Sequence, residues 1–208
     1  EVLATDTSIE TYVLFGAVHR LLSPLGAVYA GSAWRSPLGE VAVDQTLAEA
    51  DSRGIRVVLT LVNNWDDYGG MNRYTLWRFG SVRHDAFYTD TTIHTWFREL
   101  IALLVNRVNT VNGRTYRDDP TIFAWQLANE ARAGFIAAAA LNTWIGEMSA
   151  YIKSIDPNHM VSTGIEGFYG PRHLNRNTDW WMPFHGQDFI DNHRHPTIDY
   201  ASCHIWPQ

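Results

Sequence analysis

Cysteine is almost absent: Cys203 stands alone among 208 residues, which excludes an internal disulfide. Its place in the apolar run IDYASCHI marks it as a buried structural thiol rather than a reactive one. A basic stripe is missing too. Lys and Arg number 16 against 22 Asp and Glu, interspersed, for a net charge of −6, which excludes nucleic acid as a partner. There is no charged leader followed by an apolar stretch and a small-residue cleavage site. The most apolar stretch near the start, Tyr12 to Gly31, is broken by His19, Arg20 and Pro24, so no membrane partner is expected. Gly-rich phosphate loops, a Gly-x-Ser-x-Gly elbow and internal repeats are likewise absent. His193, Arg194 and His195 read as a solvated loop, because no Cys or carboxylate completes a ligand set at metal spacing. Asn63, Asn64, Asp66 and Asp67 lack the alternate-residue spacing of a calcium loop. Neither a metal nor a cofactor is expected.

What is present is enough apolar material for one sizeable core, with a 46% hydrophobic share of which aromatic residues are a large part. From Val43 onward, short β-branched or aromatic runs alternate with segments of helical period, the pattern of βα units and a parallel sheet. Strands are expected at Ile55 to Val62, Thr121 to Ala128, His159 to Ile165 and Ile198 to Ile205. Ile93, Trp96, Phe97, Leu100, Leu104, Val108 and Val111 recur at three and four and predict a helix closed by Gly113. Leu141, Trp144, Ile145, Met148, Ile152 and Ile155 predict another before Pro157, and a shorter helix lies around Ala48 before Gly54.

Chemistry points to the strand ends. DPTIFAWQLANEAR (119–132) is an apolar run that stops on Asn129 and Glu130, and in α/β barrels reacting groups sit where strands end. Two connections after strand ends, Asn63 to Thr91 and Glu166 to His185, exceed ordinary βα loop length. One holds Trp65, Tyr68, Tyr74, Trp77, Phe79, Phe87 and Tyr88, and the other Phe168, Tyr169, Trp180, Trp181 and Phe184. Flat C–H faces of sugar rings stack on such side chains, so the loops point to a carbohydrate groove; any single ring is equally placed to pack its own loop.

LVNNWDDYGG, DPTIFAWQLANEAR, GIEGFYG and IDYASCHIWPQ, in that order, resemble the endo-β-1,4-mannanases of glycoside hydrolase family 5, over about Val43 to Gln208. The resemblance implies a (β/α)8 barrel, incomplete here, with residues 1–42 unassigned and 43–208 a partial catalytic domain. It also implies a secreted, monomeric enzyme that cleaves internal β-1,4 links of mannan, galactomannan or glucomannan with retention. Glu130 matches the family's general acid/base, and Asn129 the residue that contacts the sugar 2-hydroxyl. Asn64 and Trp65 resemble glycone-side contacts, Arg132 and Glu166 leaving-group-side contacts, and His204 and Trp206 the pair bordering the cleaved sugar. The acid is expected to carry a raised pKa, since it must protonate the leaving oxygen before it deprotonates water.

Three departures qualify the match. Ala131 replaces the proline usual after Asn-Glu, which relaxes the turn without removing a reacting group. The first forty residues do not resemble the family's opening strands, so Arg35 beside Trp34 is not assigned to its catalytic-site arginine. The nucleophilic Glu belongs to strand seven, which the recognisable strands do not reach, so the chain reads as a fragment expected to be inactive alone. Two further readings stand beside mannan hydrolysis: a family-5 hydrolase of another β-glucan such as cellulose, and a mannan-binding remnant without turnover.

Overall fold

β-branched and large apolar side chains drive the central strands, and the computed structural model shows them buried on both faces, as a parallel sheet requires. It describes residues 11–14, 37–66 and 70–205. β1 (Thr11–Leu14), β2 (Arg56–Thr60), β3 (Ile122–Gln126) and β4 (Met160–Ser162) form one sheet in the order 1-2-3-4, every pair parallel. The register pairs Leu14 with Leu59, Leu59 with Trp125 and Trp125 with Val161. Consecutive parallel strands that are also neighbours, each pair joined through a helix, build one wall of an α/β barrel.

The helices are α1 (Pro37–Ser52), α2 (Met71–Phe79), α3 (Thr91–Val105), α4 (Ala138–Ile155) and a single turn, α5 (Phe189–Asn192). α3 starts where Asp90 accepts the Ile93 N–H at 3.0 Å, satisfying one orphan donor of the first turn. Its apolar stripe of Ile93, Phe97, Leu100, Ile101 and Leu104 is buried. α4 buries Leu141, Trp144, Ile145, Met148 and Ile152 and ends at Asp156, where the following Pro157 disfavours helical backbone.

Two expected elements differ. The helix read as far as Gly113 ends at Val105, and Val108 and Val111 are exposed. Polar groups capture the backbone instead: Asn109 Oδ1 accepts the Val111 and Asn112 N–H groups, and Asn109 N–H donates to Arg114 O at 2.8 Å, closing a tight hairpin. Buried Asp44 of α1 anchors that hairpin through Arg107 Nε at 2.9 Å, the Thr110 N–H at 3.1 Å and the Tyr116 hydroxyl at 2.7 Å. The segment Ile198 to Ile205 is not a regular strand either. Among the described residues its one β-bridge to β4 sets Tyr200 opposite Ser162, beside an Asp199 N–H to Val161 O bond at 2.9 Å, and the expected burial of Cys203 is corrected, for its side chain is exposed on this loosely paired edge.

The long loop after β2 contains α2, unread from the sequence, and three of its rings are core. Tyr74, Phe87 and Tyr88 are buried with Phe97 and Trp144, as in the edge-on Tyr74–Phe87 contact at 5.3 Å and the Phe87–Trp144 contact at 5.6 Å. Each such ring contributes about 1.5–3 kcal/mol by burial. No described helix is long and apolar enough to cross a membrane.

Candidate active site

Strand-like pairing continues beyond β3 to the Asn-Glu pair. Leu127 N–H donates to Ser162 O at 2.9 Å, Asn129 N–H to Val62 O at 2.7 Å, and Glu130 N–H to Gly164 O at 2.8 Å. Glu130 has φ 55°, the one positive value among the described residues other than glycine. That left-handed backbone costs about 1–2 kcal/mol and persists because neighbours on both sides bind its flanking amides. Gly164 (φ 73°) makes room for the turn: a Cβ there would run into the Ala128 carbonyl.

The turn lies where the ends of β2, β3 and β4 and the Ile198 segment come together. Glu130 is 8% exposed and accepts from Trp65 Nε1 at 2.6 Å, while its other oxygen lies 2.8 Å from His204 Nδ1. Trp65 follows β2 and His204 lies near the end of the Ile198 segment, so residues far apart in the chain meet on one carboxylate. The raised pKa expected of Glu130 is not found. The His204 hydrogen bond holds its carboxyl below the ordinary carboxylate range, burial works in the opposite direction, and the Trp65 donor and nearby Arg132 reinforce the lowering.

Arg132 and Glu166 form a second unit. Arg132 Nε donates to Glu166 Oε2 at 2.7 Å and Arg132 Nη2 binds Glu166 Oε1, a fork-to-fork pair that is mostly buried. The guanidinium lies 4.9 Å from the centre of the Trp65 ring, 5.4 Å from Phe168 and 5.8 Å from Trp181. His185 is pushed below its usual pKa by burial and by Arg132.

Asn129 and Asn64 are buried and already engaged. Asn129 Nδ2 donates to Asn63 Oδ1 at 3.0 Å, and Asn64 Oδ1 accepts the Arg132 N–H at 2.9 Å. Asn64, Trp65, Arg132, His84 and Phe184 line a cleft of about 350 Å³ beside the cluster. Trp206, Asp67, Tyr68, Trp34 and Arg35 lie outside the described residues. His193 to His195 do form a loop and Arg194 is exposed, but the two histidines are half-buried rather than solvated. His193 bridges Thr163 at 2.8 Å and Phe189 O at 2.7 Å, while His195 packs over Gly146. Among the described residues no three His, Cys, Asp or Glu side chains converge as a metal site.

Sequence reasoning missed Gln187, whose Nε2 donates to Ala131 O at 2.9 Å and to Glu166 Oε2 at 3.0 Å. His84 and Tyr88 also act here, both on the Arg132 carbonyl, at 3.0 and 2.8 Å. No spacing announces them, since they arrive from loops that fold back on the strand ends.

A buried carboxylate held by two donors, next to a bidentate Arg–Glu pair and aromatic faces at barrel strand ends, defines an α/β-barrel protein with a polar binding site suited to proton transfer. The profile described as GH family 5 beta-mannosidase-like matches residues 40–208. Mannan endo-1,4-beta-mannosidase 2 of Arabidopsis thaliana is 42% identical over 175 residues, covering 80% of this chain and 40% of that protein. Mannan endo-1,4-beta-mannosidase 8 of Oryza sativa subsp. japonica is 43% identical over 173 residues, 79% of this chain and 46% of that protein. Among solved structures, the hyperthermostable endo-1,4-beta-D-mannanase of Thermotoga petrophila superposes with TM-score 0.76 at 38% identity, over 86% of this chain and 51% of that one. The Rhizomucor miehei endo-1,4-beta-mannanase gives 0.72 at 38% identity, over 79% of this chain and 48% of that one.

The chain belongs to glycoside hydrolase family 5, in its beta-mannosidase-like group. Its fold is that of the (β/α)8 barrel, in part: β1 to β4 are four consecutive staves, and the chain spans less than half the length of the two curated relatives named above.

Proposed function

We propose that the protein hydrolyses internal β-1,4-mannosidic links of mannan-type polysaccharides by a retaining mechanism, with Glu130 working as general acid and then general base. The observation that carries this reading is the Glu130 carboxylate itself, fixed at a strand end by Trp65 and His204. With both donors in place Glu130 is held as the anion, the form that deprotonates water in the second half of the reaction. A glycosidic oxygen that displaces one donor makes the anion less favourable and raises the pKa towards the acid role of the first half.

Retention requires a second carboxylate about 5 Å from the first. Glu166 does not suit that task, because one oxygen is bound by Arg132 Nη2 and the other by Arg132 Nε and Gln187 Nε2. We read Arg132 and Glu166 as a rigid rim for the leaving-group side of the sugar chain, Asn129 as the 2-hydroxyl contact, and Asn64, Trp65, His204 and Trp206 as the remaining contacts. Since such polymers lie outside cells, secretion accompanies the proposal.

The experiment is release of reducing ends from galactomannan and from cellulose by the protein extended through the strand-seven nucleophile, with and without Glu130→Gln, and by this chain by itself, which is expected to release none because retention needs that second carboxylate. Hydrolysis of galactomannan alone, reduced about 100- to 10,000-fold by the substitution, is the expected result. Preference for cellulose, or full activity of Glu130→Gln, overturns the reading. A 2-fluoro mannoside that labelled Glu166 would overturn its assignment as a binding residue.

A further inference from the structure

Gln187 is buried beside the site, yet the reaction proposed above gives it no part. A primary amide offers two N–H donors and a carbonyl acceptor, and burying it is costly unless they are engaged. All three are engaged here. Nε2 donates to the Ala131 carbonyl at 2.9 Å and to Glu166 Oε2 at 3.0 Å, and Oε1 accepts the Glu166 N–H at 3.2 Å. Turning the amide over would set its oxygen against two acceptors, so the partners fix its orientation.

These bonds close a circuit around Glu130. Ala131 directly follows Glu130, and Glu166 passes the connection on, because its carbonyl accepts the His204 N–H at 3.0 Å while His204 Nδ1 lies 2.8 Å from Glu130 Oε1. The path runs from Gln187 through Ala131 to Glu130, then back through His204 and Glu166 to Gln187. The adjoining residues fit the same turn: Ala133 N–H donates to the His185 carbonyl at 3.0 Å, and Gly186 (φ 67°) lies so close that a Cβ would meet the Ala133 carbonyl at 2.8 Å. A brace matters at this place, since the left-handed backbone of Glu130 (φ 55°) persists only where its surroundings impose it. Trp65 and His204 hold the carboxylate directly, so Gln187 acts through its neighbours.

We infer that Gln187 is a positioning residue for the acid step: it ties the turn after Glu130 to Glu166, and through Glu166 to His204, so that the Glu130 carboxyl stays aimed at the leaving oxygen. This rests on the reading of Glu130 as general acid and base, and adds to it a support from the end of the 166–185 loop. Displacing a catalytic group by about 1 Å costs up to about 100-fold in rate. The loss falls on substrates whose leaving group needs the proton, and spares those whose leaving group departs without it.

The test compares phenyl and dinitrophenyl glycosides of mannobiose, hydrolysed by the protein extended through the strand-seven nucleophile, with and without Gln187→Met. Phenoxide needs a proton as it departs and dinitrophenoxide does not, and kcat/KM reports that step for both. Gln187→Met fills the space but bonds none of the three partners, and is expected to lower kcat/KM about 10- to 100-fold for the phenyl glycoside and less than about threefold for the dinitrophenyl one. The ratio of the two does not depend on how much of the variant is folded. Where Gln187→Met yields no folded protein, Gln187→Glu, which has nearly the same shape but no donor as the anion, is read in the same way. Equal loss for both glycosides, no loss, or a loss on galactomannan alone overturns the positioning role and leaves the mannan reading in place. If the parent hydrolyses neither glycoside nor galactomannan, the mannan reading fails and the positioning role fails with it.

Discussion

Glu130 is governed by its two donors. Removing one by Trp65→Phe should raise the Glu130 pKa, because the anion loses a hydrogen bond while burial still disfavours it. Carboxyl carbon NMR titration of the chain reads this directly, and an unmoved midpoint would mean that His204 alone sets it. The sign for stability follows from the lowered folded pKa: Glu130 contributes above the unfolded value of about 4.3, and the contribution is lost as pH falls through the folded one. Arg132 is the other exacting position. Arg132→Ala leaves Glu166 buried with Gln187 as its remaining side-chain donor and should cost about 3 kcal/mol in urea unfolding. Arg132→Lys keeps the charge but forfeits the fork, so only part of the loss should be recovered. Glu130, Asn129 and Arg132 were legible because they close one apolar run. Gln187 was not, since nothing local distinguishes a glutamine in a loop from any surface glutamine.

Elements with a strong period were legible in proportion to that period. α4 and most of α3 follow from apolar residues at three and four, yet the stop at Val105 depends on Asp44, which lies in another helix. Burial pushes Asp44 up, and Arg107, Thr110 and Tyr116 together more than offset it, leaving its pKa below the ordinary range. Asp44→Ala is expected to lose about 3–5 kcal/mol, because Arg107, Thr110 and Tyr116 all lose the buried carboxylate they share. A change under about 1 kcal/mol in denaturant midpoint analysis would show that the hairpin holds itself. The end of β4 has a different constraint. Gly164→Ala combines left-handed strain with a clash against the Ala128 carbonyl and should cost about 3 kcal/mol, read as a lowered Tm. The Ile198 segment looked like a strand by composition, but a regular strand needs a run of register partners, and among the described residues a single bridge, Tyr200 opposite Ser162, joins it to β4.

Across the whole molecule, the end of the sheet opposite Glu130 carries its own polar lock. Trp125 Nε1 donates to Asp156 Oδ2 at 2.7 Å, and His159 has Asp156 Oδ2 at 2.7 Å from one ring nitrogen and the Asp119 carbonyl at 3.0 Å from the other. Two acceptors facing both nitrogens favour the doubly protonated ring. Burial lowers the His159 pKa, but Asp156 and Asp119 outweigh it and the net value is raised; for Asp156 burial is likewise outweighed, by His159 and Trp125, and its pKa is lowered. The His159 contribution is therefore complete below about pH 6.5 and is lost as pH rises through the folded value, while that of Asp156 is lost on acidification from about pH 3.9 downward. Tm measured from about pH 5 to about pH 9 should fall on the alkaline side, and His159→Gln should flatten that fall. An unchanged slope would assign the pH dependence elsewhere.

By itself, the sequence determined the class of architecture, the position of the Asn-Glu pair at a strand end and the family likeness, because hydrophobic period and contiguous motifs are local properties. Only the tertiary structure decided which rings are core and which line the groove, that Glu130 sits between Trp65 and His204 with a lowered pKa, and that Gln187 completes the Arg132–Glu166 pair. Those depend on partners tens of residues apart, brought within hydrogen-bond reach by the parallel sheet. Burial, pairing and proton affinity are set by such neighbours, and no spacing along the chain encodes them.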